Sequence, residues 1–358
     1  MKIIDIYIFK RYVITFFMML VLFIPIGIMV DLSEKIDKMI EREAPLSEII
    51  GYYTDFTLYF ASFLFPIFLF LSIIWFTSKL ANNTEVVAIL SSGISFRRFL
   101  RPYLIGATLV AILAFFMGMF LVPEASKGYN EFRYKYLKRG KKDRETTNLY
   151  NQVTDNDFIY VSSFDPKNKI GYNFSLEHFK ENELQYKISS RNIRWIEEDS
   201  TYRLSTYVKR TLGEKEDIIE TERSVDTLFG FNLDDLTPVS YIAETKNLFE
   251  LNSFIEKERK KGSPNINTYL VVKYKRWSLP VSAFILTIIA VAVSSMKRRG
   301  GMGINLAIGI SLAFVYIFFD KVFGTMAEQT GFSPLLAVAL PNILFGILAF
   351  YLLKKAKR

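Results

Sequence analysis

Apolar positions fall into six long runs, at residues 12 to 30, 56 to 78, 102 to 123, 277 to 296, 300 to 319 and 329 to 353, and none of the six contains Lys, Arg, Asp or Glu. About 20 such residues in a helix cross the hydrocarbon core of a bilayer, so the pattern predicts six membrane-spanning helices. Between the third and fourth runs, residues 124 to 270 change period. Short alternating stretches appear, among them Phe158-Ile159-Tyr160-Val161, Tyr172-Asn173-Phe174-Ser175-Leu176, Leu184-Gln185-Tyr186-Lys187-Ile188 and Tyr202-Arg203-Leu204-Ser205-Thr206-Tyr207-Val208. Strands rich in Tyr, Ile, Val and Thr, separated by Asp, Asn, Gly or Pro, predict an inserted antiparallel β domain: a sandwich, roll or open barrel. From Leu248 to Lys261 the apolar spacing turns helical again, and Gly262 and then Pro264 end it. A short amphipathic helix therefore leads into the fourth span.

Two further stretches need their own reading. The first apolar run follows Lys10-Arg11 as a signal peptide would, but it is too long and Asp31-Leu32-Ser33-Glu34-Lys35 offers no small-residue cleavage site, so it reads as a retained span. Between the second and third runs lies a loop in which Asn82, Asn83 or Thr84 can cap a helix, Glu85 suits its positive end, Val86, Ile89 and Leu90 share one face, and Gly93 can stop it. That predicts a short helix over about 80 to 93 at the membrane surface. It is either a lipid-facing connector or a docking element for a cytoplasmic partner.

Charge supplies the orientation. Lys2, Lys10 and Arg11, then Lys79, Arg97, Arg98 and Arg101, then Lys297, Arg298 and Arg299, and finally Lys354, Lys355, Lys357 and Arg358 occupy alternate flanks of the spans. Cationic short loops stay cytoplasmic, so both termini are expected there and the β insert on the opposite side. Lys35, Lys38 and Arg42 break that rule, which marks them as candidates for a functional role. Singly, each also reads as part of a mixed-charge turn with Glu34, Asp37, Glu41 and Glu43. Composition agrees with a lipid-solvated chain: 51% apolar residues, with 33 Phe and 20 Tyr. The net charge of +9 is accounted for by the span flanks and gives no reason to invoke nucleic acid. With no cysteine, the insert is held by its own core rather than by disulfides.

The motifs in order resemble one family. Glu85, Gly93-Ile94-Ser95, Arg97-Arg98 and Pro102 resemble its signature between the second and third spans. Ile4-Asp5-Ile6-Tyr7 with Arg11-Tyr12, Val122-Pro123, Tyr274-Lys275-Arg276-Trp277-Ser278-Leu279-Pro280, Arg298-Arg299-Gly300-Gly301 and Leu340-Pro341-Asn342 match at its other landmarks. The chain resembles the LptF/LptG permeases, membrane subunits of the ATP-driven lipopolysaccharide exporter, over essentially its whole length. The resemblance implies a β-jellyroll-like periplasmic domain and residence in the bacterial inner membrane. It implies a second permease of this type or another copy of the chain, a dimeric cytoplasmic ATPase and a membrane-anchored periplasmic bridge protein. It also implies that no cofactor is bound by this chain, ATP and Mg²⁺ residing on the ATPase. The sequence adds an independent point: it contains no G-x-x-x-x-G-K-[ST] phosphate cradle.

Under that resemblance Glu85, Val86, Ile89, Leu90 and Gly93 are the candidate ATPase-coupling residues. Lipopolysaccharide carries phosphates above several acyl chains, so its carrier should join an apolar cavity to cations at the outer rim. Lys35, Lys38, Arg42, Arg133 and Lys321 are the candidate rim residues; Lys127 lies in the same region, and Lys321 can instead snorkel or pair with Asp320 or Glu328. No metal or catalytic site is expected: the one histidine, His178, lies in a predicted strand as a sheet-surface residue, and neither H-E-x-x-H nor G-x-S-x-G occurs. A ligase or glycosyltransferase acting on lipid-linked saccharides would need interfacial carboxylates such as Asp55, Glu124 and Glu131. A secondary lipid transporter would need ionisable groups inside its spans, where the irregularities are Pro25, Pro66, Pro280 and Pro341.

Overall fold

A computed structural model describes residues 2–138, 147–165, 168–181, 183–196, 201–213, 216–231, 241–260, 262–263, 265–296 and 301–356. The cationic loop Lys297-Arg298-Arg299 with Gly300, the terminal Lys357 and Arg358, and Lys261 and Pro264 lie outside them. Two compact units result. One comprises Met1–Gly140, Ala243–Phe249 and Asn267–Arg358, the other Lys141–Ile242 and Glu250–Ile266.

The first unit is helical. Its elements are α1 (Ile3–Glu41), α2 (Leu46–Asn82), α3 (Glu85–Ser91), α4 (Phe96–Phe116), α5 (Val122–Phe132), α7 (Ile266–Ser294), α8 (Gly301–Thr330) and α9 (Pro334–Ala356); α6 (Leu248–Lys260) precedes α7 in the chain. Among the described residues six helical runs are long and apolar enough to cross a membrane. The chain is a multi-pass membrane protein with an inserted β domain. Several runs outlast their apolar stretches: α1 at about 1.5 Å per residue is about 58 Å long, so Lys35 and Lys38 stand on a helical extension rather than in a loop.

The third span differs most from the sequence expectation. Proline lacks an N–H and clashes with the carbonyl four residues back, so Pro123 reads as an end. Here a π-helical turn at Met117–Leu121 precedes it, α5 continues through it, and a second π turn at Arg133–Leu137 follows. The wider turn absorbs the missing donor, and one helical run extends from Phe96 to Leu137.

Lipid offers helices little hydrophobic reason to associate, so close packing and interhelical hydrogen bonds must do it. Tyr12 on α1 is fully buried and lies against Gly106 on α4, where a Cβ would stand 2.6 Å from the Tyr12 ring. Its hydroxyl bonds Thr287 of α7 at 3.1 Å, Thr77 of α2 bonds Tyr103 of α4 at 3.0 Å, and Asn305 Nδ2 of α8 donates to Ser78 of α2 at 3.1 Å. Such bonds contribute about 0.6 kcal/mol each in membranes. Together they fix which helices neighbour which.

The second unit is built on six antiparallel strands: β1 (Thr147–Gln152), β2 (Asp157–Asp165), β3 (Ile170–Lys180), β4 (Glu183–Ile196), β5 (Thr201–Thr211) and β6 (Ile218–Thr227). Each pairs with the next in sequence, so the described strands form an up-and-down meander with β1 and β6 at its edges. Alternation sends Ile159, Val161, Phe174, Leu176, Ile193 and Leu204 to one buried face. Phe229 and Phe231, beyond β6, cover part of it: Phe231 stacks on Tyr202 at 5.6 Å, and Tyr202 Oη donates to the Phe231 carbonyl at 2.9 Å. Ile188 packs at the margin of this cluster. In α6 the helix ends at Lys260, and Gly262 takes a left-handed φ of +69°.

Candidate functional site

Two groups of side chains occupy opposite ends of the helical unit. The loop end carries α3 and the start of α1; the insert end is where the chain leaves for, and returns from, the β domain.

At the loop end α3 is a seven-residue helix. Its residue before the first turn, Thr84, adopts φ +60° and gives no side-chain cap; residues 80 to 82, expected in this helix, finish α2 instead. Glu85 accepts from Tyr7 Oη and from Asn83 Nδ2, each at 3.1 Å, which ties α3 to α1. Val86 is buried, and Ile89 and Leu90 pack against the helical core, so these three point inward. The outward surface consists of Val87, Ala88, Ser91, Ser92 and Gly93, the last at φ +87°. Nearby, Arg98 Nη2 donates to Asp5 Oδ2 at 2.6 Å, and Asp5 also accepts from the Lys2 amide.

At the insert end most predicted rim cations have partners. Lys35 bonds Asp31 and donates to Tyr52 Oη at 3.1 Å, while Tyr52 Oη donates to Asp31 at 2.9 Å. Tyr52 stacks in turn on Phe132 and Tyr129 at 4.5 and 5.4 Å, an aromatic cluster that also holds Phe56 and Tyr136. Arg42 Nη1 donates to the Tyr136 carbonyl at 2.7 Å, satisfying the end of the π turn, and Arg133 lies over the Tyr129 ring at 5.1 Å. Lys38 and Lys127 are exposed. Lys321 is exposed too, with its ammonium 5.3 Å from the centre of the Phe63 ring.

Lys321 does not take Asp320; Lys275 of α7 does, at 2.8 Å. Beside it Arg276 donates to three carbonyls of the returning segment, those of Lys246, Ala243 and Glu244, at 2.7, 3.0 and 3.2 Å. The Glu244 carboxyl is pushed up by burial and by Glu328, against the pull of Lys321 and Arg276. These groups border a cavity of about 230 Å³ walled by Tyr59, Phe63, Val122, Val272 and Leu279. A second of about 190 Å³ shares Ser62, Phe63, Lys275, Leu279 and Lys321 with it. The arrangement is an apolar hollow with cations at its edge. Lys275, Arg276 and Glu244 were not singled out from the sequence as binding residues, although the rule that marked Lys35 marks the cations Lys273, Lys275 and Arg276 before the fourth span as well.

His178 lies on the β domain, half-buried: its Nδ1 donates to Asp157 Oδ1 at 2.7 Å and its ring stacks on Tyr186 at 4.9 Å. Burial raises the Asp157 carboxyl, but hydrogen bonds from Thr154 and His178 outweigh it and hold the group below the usual carboxylate range. Among the described residues no group of three or more His, Cys, Asp or Glu is placed to hold a metal ion.

A family model described as lipopolysaccharide export system permease LptF/LptG matches residues 6–355. The lipopolysaccharide export system permease protein LptG of Escherichia coli K12 is 21% identical over 295 residues, 81% of this chain and 81% of its own length. The protein of the same description from Haemophilus influenzae Rd is 22% identical over 310 residues, 82% of each.

Proposed function

The chain belongs to the LptF/LptG family of lipopolysaccharide export system permeases, and from that premise we propose how its two ends divide the work. It sits in the bacterial inner membrane with both termini and α3 in the cytoplasm and the β domain in the periplasm, as the alternation of Lys and Arg between flanks supports. Lipopolysaccharide is taken from the outer leaflet at the insert end. Its phosphates meet Lys321, Lys38 and Lys35 with Arg42 and Arg133 behind them, and its acyl chains meet the apolar walls. The observation that carries this is the hollow of about 230 Å³ lined by Tyr59, Phe63, Val122 and Leu279 with Lys321 and Lys275 at its edge. An amphiphile with an anionic head fits that chemistry.

Family membership supports export over the saccharide ligase, glycosyltransferase and secondary-transporter readings. Hydrolysis of ATP, with its Mg²⁺, belongs to a separate dimeric subunit that docks on α3, where Val87, Ala88 and Ser91 face outward and Glu85 fixes the helix to α1. Closure of that motor moves the permease between a state that holds lipid and one that expels it. A second permease, of the same family or another copy of this chain, completes the cavity. The β domain hands lipid to a membrane-anchored bridge protein.

The test is reconstitution. The full-length chain purified with its co-eluting subunits should release lipopolysaccharide from proteoliposomes to a soluble acceptor in an ATP-dependent manner. Release that ignores ATP, or purification with no nucleotide-binding subunit, contradicts the proposal.

A further inference from the structure

Lys275 stands where the two insert-end cavities meet, lining both together with Ser62 and Lys321. Its ammonium is already engaged: Nζ donates to Asp320 Oδ2 at 2.8 Å and to the Asp320 carbonyl at 3.3 Å. The stem reaches α8 by passing Gly324, where a Cβ would stand 3.0 Å from Nζ and 3.4 Å from Cε. A side chain at 324 would crowd the lysine's end and make it shift by a few tenths of an ångström. Both partners keep about 30% of their side-chain surface open, 30% for Lys275 and 27% for Asp320, so a polar ligand in the cavity reaches the pair without unfolding anything. Arg276 next to it is committed differently, its N–H groups spread over three carbonyls of the returning segment.

An ion pair in that position is a binding seat with an internal occupant. A carboxylate brings one negative charge, whereas a phosphate monoester brings about 1.5 to 2 at neutral pH with three acceptor oxygens. Exchange gives Lys275 the stronger partner, adds the adjoining Lys321, and returns a half-open Asp320 to water. The reverse exchange favours departure of the ligand, because the cation it leaves is never unpaired.

We propose that Lys275 is a phosphate-binding residue of this cavity, and that Asp320 competes with the lipid phosphate for it and so sets how readily the lipid is released. This rests on the reading that the cargo is a phosphorylated glycolipid. It adds α7 to the helices carrying binding cations and gives Asp320 a competing role, so that neutralising Lys275 and neutralising Asp320 change binding with opposite signs.

The experiment measures binding of purified lipopolysaccharide, of its enzymatically dephosphorylated form and of inorganic phosphate to the full-length chain with its co-purifying subunits. The chains compared are native, Lys275→Gln, Lys275→Arg and Asp320→Asn. Loss of one charge-assisted contact weakens binding about tenfold, so Lys275→Gln should do this for the phosphorylated lipid, Lys275→Arg should retain most of the affinity, and Asp320→Asn should bind about three- to tenfold tighter with slower ATP-driven release. The dephosphorylated lipid should respond to none of them. Weaker binding by Asp320→Asn would show the pair to be structural and overturn the proposal. Equal responses from the dephosphorylated lipid, or inorganic phosphate bound as tightly as the lipid, would overturn it as well. A native chain that binds no lipopolysaccharide sinks the functional reading beneath it instead.

Discussion

At the loop end of the helical unit, the carboxylates Asp5 and Glu85 are engaged within the chain: Asp5 takes Arg98 at 2.6 Å and Glu85 takes Tyr7 and Asn83, while α3 turns a small outer surface of Val87, Ala88 and Ser91 to its surroundings. The insert end is divided: Lys35, Arg42, Arg133 and Arg276 are engaged within the chain, whereas other cations there stay open. Lys321 and Lys38 are exposed, Lys275 shares a half-open pair, and hollows of about 230 and 190 Å³ lie beside Lys321 and Lys275. On the function proposed above, one end transmits a movement as a unit and the other exchanges partners. The same residue types serve both, and their surroundings decide which.

The largest effect expected from breaking this contrast is at Glu85. Glu85→Lys removes the acceptor for Tyr7 and Asn83 and adds a cation to a loop that already carries Lys79, Arg97 and Arg98. These are exposed hydrogen bonds from neutral donors, worth no more than about 1.5–3 kcal/mol, so the chain should still insert in the membrane while lipid-stimulated ATP hydrolysis is lost. Unchanged stimulated hydrolysis would separate α3 from coupling. At the other end, a Lys35→Gln, Lys38→Gln and Lys321→Gln triple variant tests exchange. Two lost phosphate contacts at about 1.5 kcal/mol each weaken lipopolysaccharide binding about 100-fold and flatten its salt dependence; Lys321→Gln alone should contribute more than Lys35→Gln, since Lys35 is shared with Asp31 and Tyr52.

A smaller effect belongs to Arg98→Ala, which leaves the nearly buried Asp5 without its guanidinium. A hydrogen bond to a charged group is worth about 1.5–3 kcal/mol, so the thermal midpoint of the detergent-solubilised protein should fall, while lipopolysaccharide affinity at the far end should not change. Altered affinity would mean that the ends are not separable. The smallest concerns Asp157 on the β domain. Its carboxyl is held low by Thr154 and His178, so the stability it contributes is full above the ordinary Asp range near about 3.9 and is lost as pH falls through the folded value. Asp157→Asn should remove that acid-side slope from pH-dependent unfolding curves, by less than about 1 kcal/mol for so open a site.

The apolar runs were enough to place six spans because a lipid-exposed helix cannot hide a charge in its middle. They understated the helices' lengths because the polar flanks of α1, α2 and α4 remain helical, and they ended the third span at Pro123 because nothing local announces a π turn that can absorb a proline. Alternation located the strands and sent Ile159 and Phe174 inward. It carried no information on the meander order, nor on Phe229 and Phe231 folding over the buried face. For the site, the charge-orientation rule reached Lys35, Lys38 and Arg42. The Lys275–Asp320 pair spans 45 residues and passes close to Gly324, which no periodicity encodes. In α3, Val86, Ile89 and Leu90 share a face as expected, but a helix this short has apolar side chains on both sides, and only packing reveals that this face is used internally.

Paired photo-crosslinking tests the division between the two ends most directly, with one photoreactive residue replacing Phe63 at the cavity wall and one replacing Val87 on the outer surface of α3, in the full-length chain under ATP turnover. Position 63 should capture lipopolysaccharide, in an amount that changes with ATP, and position 87 should capture a nucleotide-binding subunit. Lipid captured at 87, or none at 63 while the assembly is hydrolysing ATP, would contradict it.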